Sequence, residues 1–469
     1  MIKFDDKTIH ELFGADAAED EDATRFVEYF YENAAYESLN ASLPLRILVG
    51  HKGVGKSALL KRAYLSDQEN KAPCVWLQPE ALLNVQLDTT PNDQFVRRIH
   101  LWKKGILREI LLQLFGAEAL NQIGNMENAT PDSLAAIIIK WLDQAKQSTS
   151  LANAINIYID DIDRGWKATS EDITNISALL NATRDLGGKY PNIRFRIGLR
   201  SDVYFLVRTS DESTDKVDGN IIWLRWANND ILKVIARRVS TFFKLNYSQD
   251  QIENLTQGQI TTNILKNVIE IRFAGRGRWE NKPTHYILLS LTRARPRDLI
   301  KLLRLAAKSA NKRGAGVISS ADLNSIFEEY SQERLQDIIN EFKSEMPEIE
   351  RLVLSMKPNR RERATITNYS FTTDQLTAKI KDIIGQNSFS FTNKKSVTPR
   401  SLIQFLYKID FITARRTLDD GTVDRKYFEQ SRFLGHEIIE FGYGWEIHPA
   451  YRWALQPSDV GTLLDLIDV

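Results

Sequence analysis

The segment Gly50-His51-Lys52-Gly53-Val54-Gly55-Lys56-Ser57 sets glycines, a lysine and a hydroxyl at the spacing G-x-x-x-x-G-K-[ST]. Glycines let backbone N–H groups approach an anion without a Cβ in the way, a lysine adds positive charge, and a hydroxyl can ligate a hard cation. Together they suit the polyphosphate of a nucleoside triphosphate with its Mg²⁺. Lys56 would meet the β- and γ-phosphates, Ser57 would offer its oxygen to Mg²⁺, and the backbone from Gly50 through Ala58 would wrap the remaining oxygens. His51, Lys52 and Val54 occupy the variable positions, with His51 a loop-filling residue.

Hydrolysis needs carboxylates beside such a loop, and Ile155-Asn156-Ile157-Tyr158-Ile159-Asp160-Asp161 supplies two. The β-branched run reads as a buried strand that would deliver Asp160 to the metal shell and Asp161 to the attacking water as general base.

These residues require elements to hold them. The apolar run Leu43–Val49 reads as the strand before the loop, and Ser57–Arg62 as the start of a helix whose dipole faces the phosphates. Further strands are expected near residues 75, 157, 196 and 223, separated by helices. The expected fold is α/β, a mostly parallel five-stranded sheet covered on both faces within residues 1–228. Residues 229–342 carry helical apolar spacing, as in Leu299-Ile300-Leu302-Leu303-Leu305, with Pro296 in a first turn. Residues 343–469 read as helices over 347–356, 373–384 and 399–409. A hairpin follows, with its turn at Leu418-Asp419-Asp420-Gly421, and then a strand at Trp445. Three helices and a β-wing make a winged helix. Its third helix offers Arg400, Gln404 and Lys408, and its wing Arg415 and Arg416, to nucleic acid, yet the helix is mostly apolar and better suited to protein contact or nonspecific nucleic-acid binding than to reading base sequence. The loop Gly275-Arg276-Gly277-Arg278-Trp279 is expected to be an exposed interhelical loop, with backbone contact to phosphates and stacking by its aromatic as the alternative.

At 469 residues and 43% hydrophobic, the chain has room for about three domains. No apolar stretch approaches the ~18 residues of a membrane span, and the start lacks a signal pattern. A lone Cys74 permits no intrachain disulfide, and six scattered histidines lack ligand spacing for zinc, so a cytoplasmic protein is expected. The net charge of +1 conceals segregation. Residues 1–45 hold eleven acids against Lys3, Lys7 and Arg25, and residues 276–313 hold eleven basic residues against Glu280 and Asp298. Residues 351–416 hold thirteen basic residues against four acids. Such asymmetry serves nucleic acid or face-to-face assembly of protomers.

With Ile162-Asp163-Arg164 the acidic strand extends to I-D-D-I-D-R, which resembles the signature of KAP-type and STAND-type P-loop ATPases, among the additional-strand ATPases that include AAA+ proteins. Leu12–Glu19 is similar to the segment that lies against adenine in AAA+ and origin-recognition-like ATPases, which favours ATP over GTP. Arg295-Pro296-Arg297-Asp298 resembles the start of their lid helix. The resemblance implies Arg297 first, or Arg295 second, as the cation that reaches the γ-phosphate. It implies Arg200, Ser201 or Asp202 as the γ-phosphate sensor, and Arg164, Arg184, Arg200 or Arg208 as a finger acting in trans. It further implies a homo-oligomer that controls a separate effector protein, as in antiphage defence. Two alternatives are a DNA-loading ATPase gripping duplex through the basic lid and winged helix, and a nucleotide-gated scaffold with negligible hydrolysis.

Overall fold

In a computed structural model of the chain, described for residues 2–15, 20–87, 94–122, 129–146, 153–210, 212–275, 279–359, 362, 369–419, 423–435, 442–456 and 463, five strands form one sheet. They are β1 (Leu45–Val49), β2 (Cys74–Leu77), β3 (Ile155–Ile159), β4 (Ile193–Leu199) and β5 (Ile221–Trp223), in the order β2-β3-β4-β1-β5. Every pairing is parallel, so the sheet is wholly and not mostly parallel. The inner strands β1, β3 and β4 are buried at nearly every position, as a parallel sheet covered on both faces requires. The edge strand β2 alternates instead, with Val75 and Leu77 inside and Cys74 and Trp76 partly open.

Strand β4 lies between β1 and β3, pairing Leu45–Val49 with Phe195–Leu199 and Ile155–Ile159 with Ile193–Ile197. Because all three run the same way in this register, Gly50, Asp160 and Arg200 leave the sheet at one edge. That is where parallel α/β sheets place ligands.

The chain divides into two compact units. Residues 22–27 and 32–225 make the sheet unit, and residues 1–21, 28–31 and 226–469 make the second. Helix α1 (Asp6–Phe13) belongs to the second. Helices α2 (Lys56–Glu69), α3 (Phe95–Gln122), α4 (Pro131–Ala145), α5 (Ser170–Lys189) and α6 (Ser201–Ser210) belong to the sheet unit. Helix α5 starts on a capping box between Thr169 and Asp172, and buries Ile176, Leu179, Leu180 and Leu186 in the same core as Ile157 and Phe195.

The second unit continues with α7 (Asn228–Phe243), a two-stranded ribbon β6 (Arg272–Ala274) and β7 (Glu280–Pro283), and helices α8 (Pro296–Lys312) and α9 (Ser320–Phe342). Helix α1 packs on α7 and α8. Of the expected interhelical loop at 275–279, Gly275 follows β6 and Trp279 precedes β7, so strands and not helices flank it. Arg276, Gly277 and Arg278 lie outside the described residues, and Trp279 is fully buried. That burial removes its indole from any stacking surface, correcting the expectation of an exposed loop. Beyond come α10 (Ile349–Ser355), β8 (Ser370–Phe371), α11 (Thr373–Gln386), α12 (Pro399–Lys408), β9 (Ile412–Thr417), β10 (Val423–Lys426) and β11 (Gly444–Ile447). The four strands form an antiparallel sheet in the order β10-β9-β11-β8. Asp420 and Gly421 of the expected hairpin turn lie outside the described residues. No described helix is long and apolar enough to cross a membrane.

Candidate nucleotide site

Strand β1 hands the chain to a loop whose turns only glycine accommodates well. Gly53 and Gly55 have φ of 83° and 101°, in the left-handed region. A Cβ on Gly50 would come within 2.8 Å of Val54 Cγ2 and 3.1 Å of the Leu224 carbonyl. Helix α2 begins at Lys56 with no side-chain cap on Gly55. Among the described residues, no intramolecular acceptor meets the amides of Gly53, Gly55, Lys56, Ser57 or Ala58. A run of open N–H groups at the positive end of a helix is an anion cradle. Lys56 Nζ lies in the loop, donating to the Gly50 carbonyl at 2.8 Å and the His51 carbonyl at 3.1 Å. His51 and Val54 are buried in the loop while Lys52 is exposed.

Asp160 leaves β3 beside the loop, and its carboxylate accepts from the Ser57 hydroxyl. It is only 6% exposed. Burial pushes its carboxyl up to about 6, with the Asp161 charge adding to the rise and the Ser57 bond and Lys56 opposing it. A buried carboxylate sharing a hydroxyl, with so little cation to neutralise it, is a fit for a divalent ion. Asp161 follows in the left-handed region at φ 54°, with half its side chain exposed and Arg164 at 3.5 Å.

The turn after β4 is bonded to both neighbours. Gly50 N donates to the Leu199 carbonyl at 3.2 Å, Ser201 N donates to the Gly50 carbonyl at 3.3 Å, and Arg200 N donates to Asp163 Oδ2 at 3.3 Å. The Arg200 guanidinium forks onto Asp202, Nε to Oδ1 at 3.1 Å and Nη2 to Oδ2 at 2.8 Å. Of the three sensor candidates, Arg200 and Asp202 therefore neutralise each other. Ser201 keeps a fully buried hydroxyl without a partner. Asp163, given no role on sequence grounds, has its carboxyl raised by burial against the pull of Arg200 and Lys56. The third acid of I-D-D-I-D-R was its only sequence signal.

The remaining finger candidates differ in engagement. Arg164 is two-thirds exposed and 3.5 Å from Glu80, Arg184 bonds Asp185, and Arg208 pairs with Asp218.

In the second unit, Arg295 is buried and bonded to Asp410 at 2.6 Å, which removes it as a cation for phosphate. Arg297, in the first turn of α8, has a buried Nε with no acceptor. Phe13 and Gly14 of the adenine-segment resemblance accept through their carbonyls from Arg238 and Arg304, while Asp16 to Glu19 lie outside the described residues. Among the base-reading candidates, Lys408 pairs with Glu345, Arg415 with Glu446 and Arg416 with Asp424. Arg400 and Gln404 are partly buried in α12.

Comparison with known proteins gives matches to parts of the chain. Residues 230–339 match the family described as the FunZ-associated C-terminal helical domain. Over 329 residues, 67% of this chain, it is 25% identical to an 80.3 kDa protein named for transposon gamma-delta from Escherichia coli (strain K12). The chain spans 43% of that protein's length. A second relative, Allergen Alt a 2 of Alternaria alternata, is 28% identical over 145 residues, covering 31% of this chain and 67% of the allergen. Among solved structures, the Walker-type ATPase PABY2304 of Pyrococcus abyssi matches with TM-score 0.41 and 12% identity, covering 86% of this chain and 96% of its own. The ORC2 protein of Aeropyrum pernix matches at 0.40 and 11%, covering 95% and 92%. The RuvB branch migration motor of Thermotoga maritima matches at 0.34 and 14%, covering 68% and 81%. At such scores the fold assignment rests on this chain's own strand order, with β4 between the phosphate-loop strand and the acidic strand.

Proposed function

We propose that this chain is a Mg²⁺-dependent ATPase of the P-loop class whose nucleotide state governs assembly with itself and control of a separate effector protein. The observation that carries the enzymatic part is the Ser57–Asp160 hydrogen bond beside a cradle of open amides. The loop amides and Lys56 bind the polyphosphate, and Ser57 with Asp160 would hold Mg²⁺, which supplies charge neutralisation on the phosphate oxygens. Asp161 takes a proton from water as the water oxygen bonds to the γ-phosphorus and the bond to the β-phosphate oxygen breaks. The open Ser201 hydroxyl supports its choice as the γ-phosphate sensor. Arg297 belongs to the same reaction as the lid cation, and the FunZ-associated match over 230–339 supports treating 229–342 as one module.

The test compares ATP binding and turnover with and without Mg²⁺ in the wild type, Lys56→Ala and Asp161→Asn. Lys56→Ala is expected to weaken ATP binding at least tenfold, and unchanged affinity refutes the loop assignment. Asp161→Asn is expected to bind ATP normally and lose turnover by a factor of 10² or more. Wild-type binding without turnover would identify a nucleotide-gated scaffold. Light scattering with and without Mg·ATP tests assembly, which an unchanged mass would exclude.

A second reading is DNA engagement by residues 343–469 as a winged helix. The helix–helix–hairpin order and the exposed Lys381, Lys394, Lys395 and Arg416 favour it. The intramolecular pairing of Lys408 and Arg415 weighs against base reading. DNA binding that weakens with salt at a slope of about −0.9 per neutralised phosphate would establish it.

A further inference from the structure

Within β4, a strand otherwise built from large side chains, Gly198 stands opposite Leu48 of β1. Glycine weakens a strand interior, so its presence there signals a close approach. The approaching atom is Asp160 Oδ1, which would lie 2.4 Å from a Cβ at position 198, with Leu60 Cδ1 at 3.0 Å. Ordinary contact begins near ~3.5 Å. Even a methyl group would therefore drive the carboxylate out of the place where it accepts from Ser57.

We propose that Gly198 is a positioning residue: by lacking a side chain it seats the Asp160 carboxylate against Ser57, and this seat selects a small octahedral divalent cation over a larger one. The inference rests on the Mg²⁺ site proposed above. Mg²⁺ demands near-ideal octahedral geometry at ~2.0–2.1 Å, whereas Ca²⁺ accepts six to eight oxygens at ~2.3–2.6 Å in flexible arrangements. A carboxylate displaced from its seat costs the rigid ion more than the tolerant one. Neither Gly198 nor β4 would ligate the ion; the strand acts through Asp160.

The experiment measures Mg²⁺ and Ca²⁺ affinity by calorimetry for the full chain saturated with a non-hydrolysable ATP analogue. Wild type and Gly198→Ala are compared, with folding followed by circular dichroism. Gly198→Ala is expected to lose at least tenfold in Mg²⁺ affinity and less than threefold in Ca²⁺ affinity. Equal losses for both ions, or no loss, overturn the proposal. Gly198→Ala/Leu60→Ala removes the second clash and serves if the single variant misfolds. A persisting Mg²⁺ defect supports displacement of Asp160, and full recovery assigns the effect to Leu60 packing and overturns it. A wild type that binds the analogue without any Mg²⁺ dependence would sink the underlying site, whereas a Mg²⁺-dependent wild type with an indifferent Gly198→Ala sinks only the role of Gly198.

Discussion

Asp160 in the sheet unit and Asp298 in the second unit are both buried aspartates at the start of a turn or helix, and their surroundings treat them oppositely. Asp298 receives a fork from Arg293, Nε to Oδ2 at 2.7 Å and Nη2 to Oδ1 at 2.9 Å, and a third bond from Arg334 at 3.1 Å. Those guanidiniums overcome burial and hold its carboxyl far below the ordinary carboxylate range. Asp160 has a hydroxyl and only the more distant charge of Lys56, so burial wins and its carboxyl rises to about 6. Breaking a paired buried charge is costly to the fold, while a raised carboxyl at the rim of an anion cradle marks a candidate site. The same residue type thus serves architecture in one unit and, in the function proposed, chemistry in the other.

The largest effect that tests this contrast is expected at Asp298. Asp298→Asn leaves buried Arg293 without its carboxylate and Arg334 with only Asp337 and Glu333 among its carboxylate partners, and should cost about 3–5 kcal/mol in urea unfolding. A loss under about 1 kcal/mol would show the network to be dispensable. Arg295→Ala, which takes the guanidinium away from buried Asp410, should cost a similar ~3 kcal/mol by the same measurement.

Asp160→Asn should act in the opposite direction. Above pH 6 the metal-free protein carries a buried charge whose raised pKa corresponds to about 3 kcal/mol against folding. Removing it should raise metal-free stability at pH 7 by up to ~3 kcal/mol, measured in a chelator, while abolishing Mg²⁺-dependent nucleotide binding. Lower stability in that variant would break the comparison.

The two aspartates also predict opposite pH dependences. Asp160 takes up a proton on folding between its unfolded value of 3.8 and about 6, so its term favours the fold at low pH and is lost as pH rises through that window. Asp298 stays ionised in the fold, so its term is fully present above 3.8 and is lost as pH falls below. Between pH 4 and 6, in chelator, the stability of Asp160→Asn relative to wild type should therefore grow, and a constant difference would contradict the assignment. The smallest structural effect is expected at Arg297, where substitution by Ala should change stability by under ~0.5 kcal/mol yet reduce turnover about tenfold.

Much of the sheet unit was legible because it depends on local pattern. Strands near 45, 75, 157, 196 and 223 are apolar runs, and the glycine loop is a contiguous motif in which Gly53 and Gly55 appear at positive φ. The helix from Pro296 through Lys312 was equally readable from its first-turn proline and apolar spacing. The ribbon at 272–283 was not. Its strands are short, its exposed residues mimic a loop, and nothing local says that Trp279 is swallowed by the core. Gly198 was visible as a glycine in a strand, but its neighbour Asp160 is remote in sequence, and only the β3–β4 register brings them together.

The residue order by itself determined that an anion cradle follows one strand and a pair of acids another, because amide geometry and helix dipoles are local properties of the chain. Tertiary structure decided which charges remain available. Whether an arginine meets an aspartate a hundred residues away, as Arg295 meets Asp410, or keeps an open donor, as Arg297 does, depends on packing between distant elements. The guanidiniums that packing brings to Asp298 and not to Asp160, and not residue type or burial, separate the two.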